Sequence, residues 1–211
     1  MTRILVSGAT KTLRRLSVSC GDNLGVLMTP QNWNRMCQIP LPWACDNSAF
    51  SKPDDRKFWN MVIDAWGIAT FFPPLWIAAP DIVGDALQTR RLFDQWVRCW
   101  EYELGFVPVE LAYVLQNGQQ ADDVPWDQIV AVFVGGDDQF KLCDSEPLIQ
   151  HAKRLGKMIH IGRVNSQKRL RFAVSMGADT VDGTSFSRFP DRWIEWGVKC
   201  LRTAEKTRTL F

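Results

Sequence analysis

Eight short apolar runs punctuate the chain, and almost every one stops at a polar or glycine-containing turn. They occupy residues 4–8, 25–28, 43–45, 76–79, 112–115, 129–134, 158–161 and 180–181. Runs this short are strands rather than buried helices. Between them lie segments with helical spacing. Phe58, Met61, Val62 and Trp66 share one face of residues 57–66, and Leu92, Phe93, Trp96, Val97 and Trp100 share one face of residues 85–100, which Gly105 closes. Ser145 is positioned to cap a helix carrying Leu148, Ile149, Ala152 and Leu155, with Gly156 as its stop. Ser166 is positioned to cap the next, which ends at Gly177, and residues 191–207 form a last amphipathic helix. Residues 11–16 are a basic helix or loop.

Strands alternating with helices predict an α/β fold built on parallel pairing. Eight of them fit a compact (β/α)8 TIM-type barrel, with an open doubly wound sheet as the competing architecture. A chain of 211 residues sits near the lower size limit for such a barrel, so the early helices are expected to be short. There is no internal repeat, low-complexity tract or linker, which makes residues 1–211 one expected domain.

Net charge is only +2, so no global field announces a nucleic-acid partner, and any such partner must be met by a local basic patch. Most of the ten tryptophans are expected in the core. The six cysteines (Cys20, Cys37, Cys45, Cys99, Cys143 and Cys200) include no C-x-x-C pair, and only two histidines accompany them. Neither a disulfide framework nor a metal site is indicated, and no cofactor is called for. Reduced thiols, no eighteen-residue apolar run and an N-terminal apolar segment too short for a signal peptide point to a cytoplasmic protein without a membrane partner.

Polar residues at the strand ends carry the functional reading. Asp46, Asp81, Gln116, Gly136 and Asp182 follow five different runs. In a parallel barrel those ends share one rim, where catalytic groups gather. Three carboxylates and an amide there suit the donor and acceptor edge of a purine. Two carboxylates can also divide the work of nucleophile and general acid/base. Gly135 and Gly136 leave room for a flat ligand beside the main chain, and Gly183 frees the backbone after Asp182. Arg163, Lys168, Arg169 and Arg171 follow run seven, with Arg188 and Arg192 after run eight, where barrels commonly bind phosphate. Trp43, Phe50 and Phe186 are candidates to stack on a base. Plainer readings stand beside these. Asp182, Gln116 and the glycines can be turn residues, Asp46 and Asp81 can cap helices, Asp85 rivals Asp81, and the basic cluster can be a solvated helix face. His160, in an apolar strand, reads as a satisfied core or rim histidine.

These residues resemble a known family. Cys45-Asp46-Asn47-Ser48-Ala49-Phe50 is similar to the T-D-S-G-G-F segment of tRNA-guanine transglycosylases. Val114-Leu115-Gln116-Asn117-Gly118 resembles their V-Q-G-G, Phe133-Val134-Gly135-Gly136 their I-G-G-L, and Val181-Asp182 the F-D that bears their nucleophile. Asp81 falls where the family has another base-reading aspartate. The order holds from Gly25 to Arg188. The chain lacks the family's zinc subdomain after the last strand, and Ser48 and Ala49 replace two glycines. In that compact form it looks more like the phage-type 7-deazaguanine DNA transglycosylases.

The resemblance implies a glycosyltransferase that exchanges guanine in DNA for a 7-deazaguanine such as preQ0 through a covalent aspartyl intermediate. It gives Asp182 as nucleophile, Asp46 as proton carrier, and Asp81, Gln116, Gly135 and Gly136 as the base site. Arg163, Lys168, Arg169 and Arg188 are the expected phosphate contacts. DNA is expected ahead of RNA as the polymer. An RNA-directed enzyme of the same kind, a barrel enzyme acting on a small sugar phosphate and a non-catalytic nucleic-acid-binding module remain open, as does oligomeric state.

Overall fold

All eight apolar runs are strands. A computed structural model describes residues 1–33, 40–50 and 54–208; Cys37 lies outside them. The strands are β1 (Arg3–Val6), β2 (Leu24–Met28), β3 (Trp43–Cys45), β4 (Ile77–Ala78), β5 (Leu111–Leu115), β6 (Ala131–Val134), β7 (Met158–Ile161) and β8 (Thr180–Asp182). They pair in parallel, in chain order, and close into a barrel. The closing pair sets Leu5 of β1 opposite Asp182 of β8, so neither edge is left open. This is a (β/α)8 TIM-type barrel, and closure removes the open-sheet alternative.

Seven α-helices surround the barrel among the described residues: α1 (Thr10–Cys20), α2 (Asp55–Ala69), α3 (Ala86–Leu104), α4 (Glu146–Arg154), α5 (Gln167–Ser175), α6 (Thr184–Arg188) and α7 (Pro190–Arg208). The early helices are not short, contrary to expectation; α2 and α3 run to 15 and 19 residues. Chain length is saved in the β5–β6 crossing instead, where two single 3-10 turns, Ala121–Asp123 and Trp126–Gln128, stand in for a helix.

Side chains alternate along each strand. Ile4 and Val6 face the helices, whereas Leu5 points into the barrel with Leu27, Ala44, Trp76, Ala78, Ala112, Val114 and Ala131. Four alanines on neighbouring strands leave space inside the barrel for the Trp76 indole, which is completely buried. The outer layer is sealed by helix stripes such as Phe93, Trp96, Val97 and Trp100 of α3. Asp85 caps that helix by accepting from the Gln88 N–H, and Gly105 ends it in the left-handed region. Ser166 caps α5 as expected. Ser145 precedes α4 but does not cap it. A five-residue π-helical turn, Phe140–Asp144, runs directly into α4, and the Ser145 hydroxyl donates back to the Lys141 carbonyl.

Candidate active site

The C-terminal strand ends form a small cavity of about 140 Å³. Asp46 after β3, Asp81 after β4, Gln116 after β5, Gly135 and Gly136 after β6, Arg163 after β7 and Asp182 at the end of β8 all line it. Residues separated by more than a hundred positions are therefore brought together by parallel closure. The volume is well below the roughly 300–1,000 Å³ of a drug-sized pocket, which suits one planar ring system rather than a whole nucleotide.

Asp182 is held from the neighbouring loop. Its Oδ1 accepts the Arg163 N–H at 2.7 Å, and its carbonyl accepts the Val164 N–H at 2.6 Å. Arg163 adopts a left-handed backbone (φ 63°) to present that N–H. Gly183 is needed for a different reason than the sequence suggests. Its backbone is extended, open to any residue, but a Cβ there would stand 2.5 Å from the Val164 carbonyl oxygen. Close approach of two loops, not conformational freedom, requires the glycine. Burial, and then repulsion from Asp46, push the Asp182 carboxyl up to about 7.

Asp46 folds back in a tight turn, its Oδ1 accepting the Ser48 N–H at 2.7 Å. Ser48 takes a left-handed φ of 64° to allow this. Desolvation raises the Asp46 carboxyl too. Both carboxyls of this cavity therefore resist ionisation, and a charge on Asp46 makes Asp182 harder to ionise.

Asp81 is a cavity wall and not a helix cap; that task falls to Asp85. Its Oδ1 accepts from Asn47 Nδ2 and its Oδ2 from Gln116 Nε2, each at 2.7 Å. Burial still lifts it to about 6, against those hydrogen bonds. Gln116, only 2 % exposed, spends its Oε1 on the N–H groups of Gly84 and Gly136. The amide is thereby fixed in one orientation, and Asn47, Asp81 and Gln116 make a rigid polar wall. The missing side chain of Gly135 makes room for this wall, since a Cβ there would meet Gln116 Nε2 at 2.8 Å, whereas a Cβ on Gly136 would meet Asn117 Oδ1 and the Phe140 ring, each at 2.8 Å.

Phe133 lines the cavity, and His160 packs behind it. The His160 ring centroid is 4.3 Å from that of Phe133 and 4.7 Å from that of Trp76. Its Nδ1 pairs with Thr180 Oγ1 at 2.9 Å, while Nε2 has no hydrogen-bond partner among the described residues and lies 3.8 Å from Asp182 Oδ1. Complete burial drives the imidazole down to about 3, so it is neutral and this contact is not an ion pair. The reading of His160 as a core histidine holds for its burial but leaves one ring nitrogen unsatisfied.

The basic residues divide. The Arg163 guanidinium lies 4.0 Å above the exposed Phe50 ring at the cavity mouth. Arg169 is tied to Asp138 and to the Arg163 carbonyl. Lys168 and Arg188 are exposed, with no ion pair among the described residues. Trp43 and Phe186 are fully buried in the outer core and are not available to stack on a ligand, which leaves Phe50.

Lys141 escaped sequence reading. It is 6 % exposed, lines the cavity, and is pushed down to about 8 by burial and then by Arg163. A signal for it exists: positions 141, 145, 148, 149 and 152 follow helical spacing, so the inward stripe of α4 continues back through Ser145 to Lys141 in the preceding π-helical turn. No helix among the described residues is long and apolar enough to cross a membrane. No protein-family model matches the chain, and no curated protein matches it either.

Proposed function

We propose that the protein exchanges a purine base at a sugar C1′, replacing guanine in DNA by a 7-deazaguanine such as preQ0. The observation that supports this best is the convergence of Asp46, Asp81, Gln116 and Asp182 on one base-sized cavity. Asp182 Oδ1 is committed to the Arg163 N–H, which leaves Oδ2 as the attacking atom. It bonds to C1′ as the C1′–N9 bond breaks, and Asp46 gives its proton to the departing guanine. The incoming base then yields its N9 proton to Asp46, attacks C1′ and releases the Asp182 carboxylate. A carboxylate on one face of an oxocarbenium-like centre is the arrangement that retaining glycosidases use. The Asn47–Asp81–Gln116 wall reads the base edge, and Phe50 stacks at the mouth. Arg163, Lys168 and Arg188 meet the phosphates outside. Arg169, held by Asp138, shapes the loop. The target base leaves its stack to enter, at a cost of a few kcal/mol.

The test supplies DNA or tRNA carrying labelled guanine together with preQ0. Release of label from DNA is the expected result; release from tRNA alone reassigns the polymer. A second reading, a small sugar phosphate as substrate, is favoured by Lys141 and Arg163 lying in the same cavity as the carboxylates. It requires turnover of such a compound with no nucleic acid present.

A further inference from the structure

The exchange steps above give Lys141 no contact with the base; it only favours the ionised form of Asp182 from a distance, yet its placement is costly. A lysine only 6 % exposed loses much of its hydration, which a partner can replace. Among the described residues no carboxylate lies within ion-pair distance of it and its ammonium makes no hydrogen bond. Its backbone, in contrast, is firmly held. The Lys141 N–H donates to the Asp137 carbonyl, the Ser145 hydroxyl donates to the Lys141 carbonyl, and Asp137 is itself fixed by Phe140 and Asn117. A rigid turn thus delivers an unpartnered cation into the cavity.

Depth separates this cation from the others. Arg163, Lys168 and Arg188 are exposed and can reach a phosphate outside the cavity, whereas Lys141 meets only what enters it. On the proposed function, on which this step rests, that is the base. One edge of a purine-like base faces Asp81 and Gln116, and its sugar-bearing nitrogen faces Asp182. The remaining edge, the five-membered ring, is left for the wall after β6, where Lys141 lies.

We propose that Lys141 selects the incoming base, pairing with an anionic or strongly accepting substituent on its five-membered ring, such as a carboxylate or a nitrile, and excluding a cationic aminomethyl group. A protonated amine brought against the Lys141 ammonium inside the cavity meets like-charge repulsion, while a carboxylate supplies a partner. Burial, and then Arg163, lower the proton affinity of Lys141, and an anion held beside it would raise it again.

The experiment measures equilibrium binding of free 7-carboxy-, 7-cyano- and 7-aminomethyl-7-deazaguanine to the wild-type protein, Lys141→Met and Lys141→Glu. The wild type is expected to prefer the carboxylate over the aminomethyl base by on the order of tenfold to a hundredfold, the range of a charge-assisted contact. Lys141→Met brings the ratio towards one, and Lys141→Glu inverts it. Equal or reversed preference in the wild type overturns the proposal, even if neither variant folds. So does a ratio that survives both substitutions. Labelled-guanine exchange by the wild type, run in parallel, separates the two failures. Exchange without charge preference removes only the role of Lys141, whereas no exchange and no binding of any base removes the base-exchange reading with it.

Discussion

Asp182→Asn keeps the size of the side chain and its Oδ1 acceptor for the Arg163 N–H, and removes only the ability to ionise. Its effect on stability can be worked out from the structure. Burial, then Asp46, raise the carboxyl from an ordinary 3.8 to about 7 on folding. A carboxyl raised in this way binds its proton more tightly in the native state. It therefore contributes stability that is fully present below its unfolded value and is lost as pH rises through its folded value. At about 1.36 kcal/mol per pH unit, this contribution falls by about 2–3 kcal/mol between pH 5 and pH 8. Asparagine has no such dependence. The stability advantage of Asp182→Asn over the wild type must grow by that amount across the interval, about 5–10 °C in Tm for a chain of this length. Relief of Asp46 by loss of its charged neighbour acts in the same direction at high pH. The assay is thermal or urea unfolding of both proteins at pH 5, 6, 7 and 8 at constant ionic strength. A gap that stays flat or narrows with rising pH refutes the assignment of Asp182 as an acid that folding makes harder to ionise.

Other expectations follow from the same geometry. Trp76→Ala removes a completely buried indole from the barrel interior and should cost about 3–5 kcal/mol in urea unfolding. Gly183→Ala drives a Cβ against the Val164 carbonyl and should cost about 1–3 kcal/mol, with base exchange lost through displacement of Asp182. If Asp182 is the nucleophile proposed above, base exchange should fall as pH drops below about 7, where its carboxyl takes up a proton; a pH–rate profile of single-turnover exchange reads this directly.

The barrel was legible because its signal is repeated: an apolar run too short for a helix, then a polar stop, eight times over. The ends of those runs gave Asp46, Asp81, Gln116 and Asp182 for the same reason, since closure places every strand end on one rim. What escaped was set by contacts between loops. Nothing next to Gly183 in the chain shows that Val164 lies against it. Nothing near Gln116 announces that its amide bonds Gly84 and Gly136. Lys141 follows a run of polar residues that reads as a solvated surface, and only the inward stripe of the following helix betrays it. Trp43 and Phe186 failed as stacking candidates because strand and helix alternation turns them towards the outer core. Phe50, beyond a strand end, faces the cavity mouth.

The most direct measurement is to quench the wild-type protein during turnover on guanine-containing DNA and map the covalent adduct by peptide mass. The expected result is a nucleic-acid sugar attached to Asp182 and none on Asp182→Asn. Attachment at another residue, or steady guanine release with no adduct at any point of the time course, would contradict a carboxylate nucleophile at the end of β8.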